Sequence, residues 1–267
     1  MYFFQKFTKK NFHFINIHKQ IQLPSSFKSN PNQKQGFEYR LYISNGNEII
    51  SFWHDINLKN LDKTYKIVVE IPKGERAKME MAKNEKNNPL RFDYITRDEQ
   101  HVLRFFGVDP TFNLGFFPQT WENPHALVEN QYLGDDDPLD CLEIGKNPLK
   151  IGEVVDVYIL GAFCVMEKEE ADWKVIVINR NEAESHFLDY YLRHYDEFKL
   201  KYIYDIMDWY KSYKKYEGSQ NMKTILNEKF YTKQEAESLI INSHKNYLLL
   251  KDKKIDRLDL SKYNFDI

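Results

Sequence analysis

The chain changes its periodicity once, and that change sets its fold class. From residue 36 to about 180 it is built of short apolar runs cut by Pro and Gly. In 38–44 (EYRLYIS), Tyr39, Leu41 and Ile43 fall on one face. In 64–71 (TYKIVVEI), Tyr65, Ile67, Val69 and Ile71 share a face and Glu70 takes the other. In 77–81 (AKMEM), Lys78 and Glu80 oppose Met79 and Met81. Residues 151–160 and 173–178 are further β-rich runs. Such a series predicts a barrel or sandwich. Residues 182–216 then carry aromatics, Leu and charges with no Gly or Pro, which predicts helix. Thr232 and Glu235 have capping-box spacing ahead of a second helix at 236–250. The fold class is α+β, a β-barrel core with C-terminal α-helices flanking it.

Composition narrows the function classes. With 18 Tyr and 19 Phe in 267 residues, the chain has too much core material to be disordered. No run reaches the ~18 apolar residues of a membrane helix, so no membrane partner is expected. The 38 Lys and Arg nearly balance the 40 Asp and Glu, which argues against nucleic acid as a partner. Cys141 and Cys164 form no CxxC pair and build no thiolate metal site. They are expected to be buried thiols of a reducing compartment, with a single disulfide as the other option.

The first 37 residues stand apart. They hold no Asp or Glu, six Lys from Lys6 to Lys34, and interleaved Phe. An acid-free basic leader is the composition of an organelle-targeting segment, and the other reading is a basic tail packed on the domain. Residues 24–36 (PSSFKSNPNQKQG) read as loop. The chain is therefore divided into a leader at 1–37 and one domain at 38–267, in the cytoplasm or, if the leader acts, in a mitochondrion or other organelle.

The segment that carries chemistry is 134–145, GDDDPLDCLEIG. Asp135 and Asp137 are two apart and would project to one side of an extended backbone. Pro138 turns the chain and Asp140 follows. Converging carboxylates repel one another, and a hard divalent cation with oxygen ligands relieves that repulsion. The apolar Leu139, Cys141, Leu142 and Ile144 place these acids beside a buried segment, not at a solvated tip. A second acidic set, 167–172 (EKEEAD), precedes the strand-like WKVIVI.

GDDDPLDCLEIG resembles the signature of soluble family I inorganic pyrophosphatases. EYRLYISNGNEIISFWHDINL, VVEIPKGERAKME, GFFPQTWENP, ADWKVIVIN and WYKSYKK resemble the eukaryotic branch, in family order over about 38–216. The resemblance implies an OB-like five-stranded barrel and Mg²⁺-dependent hydrolysis of pyrophosphate by several ions per site, with Mn²⁺ as an alternative metal. It also implies a homodimer. By this match Asp135, Asp140 and Asp172 would hold the tightest metal, and Asp137 would hold and deprotonate the attacking water. Glu70, Glu80 and Glu167 would belong to the metal set, with Asp93 as a further site acid. Lys78, Arg104, Tyr213 and Lys214 would bind phosphate and act in catalysis, with Lys174 beside them. The metals would neutralise a polyanionic substrate and acidify water, while Lys and Arg stabilise the leaving phosphate.

The departures are local. Leu114 stands where the family carries a phosphate-binding Tyr, and 105–114 (FFGVDPTFNL) contains no Tyr. Glu167 replaces an expected Asp. Losing one hydroxyl to phosphate costs about 1–3 kcal/mol, or about 10- to 100-fold in rate. These departures motivate a competing reading, a non-catalytic relative that binds metal or pyrophosphate.

Overall fold

A computed structural model describes residues 13–15, 33–46, 48–97, 99–128, 132–167, 169–183, 202–217, 223–255 and 259–265. Five strands close on one another: β1 (Tyr65–Ile71), β2 (Asn113–Phe116), β3 (Asp140–Glu143), β4 (Val154–Glu167) and β5 (Glu170–Asn179). The pairing runs β1–β2–β3–β5–β4 and returns to β1. Every contact is antiparallel except β3–β5, which is parallel. This is the closed, OB-like five-stranded ring. Closure leaves none of the five as a free edge.

Two glycines allow close approaches at the ring. A Cβ on Gly115 would sit 2.0 Å from the Val68 carbonyl oxygen across the β1–β2 pair. A Cβ on Gly161 would meet the Phe230 ring at 2.3 Å, at the point where the β4–β5 ladder slips register. The expected strand at 151–160 starts later and runs to Glu167, because its second half pairs with all but the end of β5. β1 contains a bulge: its register with β2 slips between Val69 and Ile71. Ile71 therefore packs with Val68 and not, as alternation predicts, with Tyr65 and Ile67. Glu70 is the extra residue at that slip.

Helices cover the barrel. α1 (Gln33–Glu38) occupies the end of the stretch expected to be loop. Gly36 lies against Leu103 and the Phe37 ring meets Tyr94 edge-on at 5.9 Å, so tertiary contact decides this turn. His13–Ile15 pairs with Tyr42–Ser44. The rest of 1–32 lies outside the described residues, as does most of the predicted helix at 182–216, of which α2 (Tyr204–Tyr216) is described. α3 (Lys233–Lys251) opens with the predicted capping box, Thr232 and Glu235 bonding each other's backbone. It buries Ala236, Ile240, Ser243, Tyr247 and Leu250 at alternating four- and three-residue spacing. Ser243 both donates to and accepts from the Trp121 backbone. Cys141 and Cys164 are buried free thiols.

Candidate active site

The site is built on the parallel β3–β5 pair. Asp140 and Lys174 are register partners across it, and Asp172, two residues before Lys174, shares its face of β5. Lys174, 3% exposed as a residue, donates through its ammonium to both carboxylates. Burial disfavours charge on Lys174, but Asp140 and Asp172 outweigh it and raise its pKa. Burial pushes Asp140 up to about 6, against the pull of Lys174. Burial also works against Asp172, where Lys174 and Lys223 prevail and hold the carboxyl below its usual range.

A second group lies on the wall. Backbone bonds link three separated segments: Lys78 N–H donates to the Arg104 carbonyl, Arg104 N–H to Asp93, and Asp93 N–H to Lys78. The side chains repeat that weave. Lys78 Nζ lies 2.7 Å from Asp93 and 3.7 Å from Glu80, while Arg104 lies 3.3 Å from Asp93 and 3.5 Å from Glu217. Glu80 is also held by Arg91 at 3.1 Å. Glu70 is buried and accepts the Met81 N–H at 2.8 Å. Its burial, reinforced by Asp140, lifts its pKa well above the carboxylate range.

The acidic turn departs from the extended form expected of it. Asp136 has φ +69°, so Asp135 and Asp137 bracket a tight turn, closed by a bond from Asp137 N–H to Asp135 Oδ1 at 3.0 Å. Asp residues tolerate this left-handed conformation. Asp135 and Asp137 line one cavity and Asp136 does not. Asp136 turns inward to accept the Trp121 indole N–H at 2.9 Å. Asp137 is 58% exposed and pairs with Lys83 at 2.7 Å.

Asp135 joins Asp172 and Glu122. One carboxylate oxygen from each of the three lies within 4.8 Å of the others. Glu122 Oε1 accepts the Trp173 N–H at 3.1 Å, and Oε2 is buried with no hydrogen-bond partner among the described residues. Burial, then the neighbouring acids, push Asp135 and Glu122 well above the carboxylate range. An all-oxygen set with one orphaned carboxylate oxygen fits a hard divalent cation.

Twelve of the thirteen site residues singled out by sequence, Glu70, Lys78, Glu80, Arg104, Asp135, Asp137, Asp140, Glu167, Asp172, Lys174, Tyr213 and Lys214, line one cavity of about 240 Å³. Asp93 stands behind it, bonded to Lys78 and Arg104. Helix α2 supplies Tyr213 and Lys214. Tyr213 is held by stacking on Trp209 (4.7 Å, 11°) and by the edge-on Phe106 ring at 5.4 Å, and Lys214 donates to Glu167. Two participants escape the sequence reading. Glu122 lies in GFFPQTWENP, where an acid in an apolar stretch is the available signal. Lys223 is nearly buried, 3.5 Å from both Glu167 and Asp172 and beneath the Tyr213 ring. The strand Thr224–Ile225, which pairs with β4, carries it there.

Residues 67–248 match the family model described as inorganic pyrophosphatase. A probable inorganic pyrophosphatase of Plasmodium falciparum is 34% identical over 246 residues, covering 88% of this chain, which spans 62% of that protein's length. A chloroplastic soluble inorganic pyrophosphatase of Arabidopsis thaliana is 31% identical, covering 86% of this chain and 76% of that protein. The crystal structure of an N-terminally truncated Trypanosoma cruzi vacuolar soluble pyrophosphatase, in complex with PPi, superposes with a TM-score of 0.76 at 28% identity, covering 96% of each chain. The chain belongs to the inorganic pyrophosphatase family.

Proposed function

We propose that this chain hydrolyses inorganic pyrophosphate to two phosphates with the help of Mg²⁺. The observation that carries the reading is the sharing of one cavity by two sets: carboxylates on β3, β5 and the 134–138 turn, and the cations Lys78, Arg104, Lys214 and Lys223. Glu122, Asp135 and Asp172 would hold one ion, and Asp137, Asp140, Glu70, Glu80 and Glu167 are the oxygen donors for others. Bound there, the ions would offset the substrate's charge and lower the pKa of water toward neutrality.

The chain's own groups account for the rest. Lys78 and Arg104 are held by Asp93 and so present fixed cations to phosphate oxygens. Tyr213 and Lys214 reach the substrate from the helix. Asp137, the most exposed of the ion-paired acids lining the cavity, accepts a proton from the attacking water. The water oxygen bonds to one phosphorus, and the bridging oxygen leaves with its electron pair on the other phosphate. No side chain need form a covalent bond.

Phosphate release from pyrophosphate across a Mg²⁺ titration tests the reading, with Mn²⁺ as the alternative metal. Release should require metal and fall by at least a hundredfold in Asp137→Asn. Absence of release at every metal concentration would overturn it in favour of a binding protein. The homodimer is part of the proposal, tested by sedimentation. So is organelle import directed by the basic leader: an intact Met1 in protein isolated from cells would count against cleavage on import.

A further inference from the structure

Among the described residues, the cavity wall contains a buried polar group without a hydrogen-bond partner. Tyr210, on the inner side of α2, is 3% exposed. Its ring is fixed on two sides, stacked on Phe112 (5.8 Å, 12°) and edge-on to Phe163 (5.7 Å, 68°). It lines the same cavity as the catalytic acids, and the Lys174 ammonium lies 5.5 Å from its centroid. Its hydroxyl oxygen is buried and has no hydrogen-bond partner among the described residues. Lys174, Lys78, Arg104 and Glu70, which line the same cavity, are all bonded within the protein.

A Phe would fill this packing equally well without leaving a polar atom unpaired, so the hydroxyl points to a ligand. Burial keeps the phenol protonated, Lys174 pulls against it, and Asp140 and Asp172 reinforce it, so at neutral pH the group is a donor. Strand β2 offers no phenol here: its residues at the cavity are Leu114 and Phe116.

We propose that the Tyr210 hydroxyl donates a hydrogen bond to a phosphate oxygen of the bound diphosphate, supplying from helix α2 a substrate contact that β2 does not provide. This inference rests on the pyrophosphatase reading of the site.

Tyr210→Phe in the full chain tests it through three measurements: phosphate release, calorimetric binding of imidodiphosphate with Mg²⁺, and melting temperature. The expected result is a fall of about tenfold or more in kcat/KM and in imidodiphosphate affinity, with a melting temperature equal to or above that of the parent. Values within twofold of the parent for both would overturn the inference, as would a lower melting temperature without loss of affinity, which would mark the hydroxyl as structural. If the parent binds imidodiphosphate but releases no phosphate, the hydrolytic reading fails alone and the variant's affinity still decides the role of Tyr210. If the parent binds none, both fall.

Discussion

The hydroxyl of Tyr263 donates to the carboxylate of Asp136, joining a segment beyond the family-matched region to the middle of the acidic turn. The same segment is pinned twice more: Asn264 N–H donates to the Lys83 carbonyl at 2.7 Å, and the Asn264 carbonyl accepts from His54 Nε2 at 3.1 Å. Lys83 in turn pairs with Asp137. Residues 259–265 thus brace the left-handed turn that separates Asp135 from Asp137. Tyr263→Phe should lower kcat severalfold while KM changes little, and should cost about 1.5–3 kcal/mol, typical of a hydrogen bond to a charged group. Steady-state kinetics and urea unfolding check this; an unchanged kcat would show that the turn holds its shape without the brace.

Lys174 has a larger structural role. It is the buried cation between Asp140 and Asp172, so Lys174→Met leaves two carboxylates without it. Removing one partner of such a cluster costs about 3–5 kcal/mol, roughly 6–20 °C in melting temperature for a chain of this size. Added Mg²⁺ should restore part of that loss, because a divalent ion can take over the compensation. Differential scanning calorimetry with and without metal reads both effects, and a loss that metal leaves untouched would contradict the shared-charge account.

Much of the fold and of the site can be read from the chain, for identifiable reasons. Alternation marks β1 and the Met79–Met81 strand because one face of each is apolar, and the capping box marks α3 because it is a local device. Non-local effects are less visible. The bulge at Glu70 depends on how β1 meets β2, so period-2 counting puts Ile71 on the wrong face. The Asp136 turn depends on an indole and a phenol 15 and 127 residues away. Lys223 enters the site by strand pairing with β4, and Tyr210 by helix packing, neither of which has a spacing rule in sequence.

Glu122 offers a test in which metal binding and stability move in opposite directions. Its carboxyl is buried beside Asp135 and Asp172, one oxygen is orphaned, and its pKa is driven well up by burial. Without metal, Glu122→Gln mimics the protonated acid and should leave stability unchanged or raise it by about 1 kcal/mol. With metal it removes a ligand oxygen's charge, and Mg²⁺ affinity should fall by about tenfold or more. Thermal unfolding of the metal-free protein and calorimetric Mg²⁺ titration check the two signs. A variant both less stable without metal and unaltered in affinity would assign Glu122 to packing.

His54 predicts an acid transition with a defined sign. It is buried under the Tyr247 ring and bonded at both nitrogens, at 2.9 Å to the Tyr247 hydroxyl and 3.1 Å to the Asn264 carbonyl. Burial lowers its pKa from 6.5 to about 4, against the bond to Asn264. Between those values the unfolded chain binds a proton that the folded chain does not, so stability rises with pH across the window. The contribution is whole above pH 6.5 and is lost as pH falls toward 4, about 3 kcal/mol in all. Asp140, raised from 3.8 to about 6, works in the opposite sense, since there the folded state is the one that binds the proton. A direct pH scan therefore mixes two opposed slopes. His54→Gln keeps a neutral polar side chain between Tyr247 and Asn264 while leaving Asp140 in place, so the difference between variant and parent isolates the imidazole. In urea unfolding from pH 7 to 4 the parent should lose about 3 kcal/mol more than the variant; parallel curves would mean that His54 takes up its proton without leaving the core.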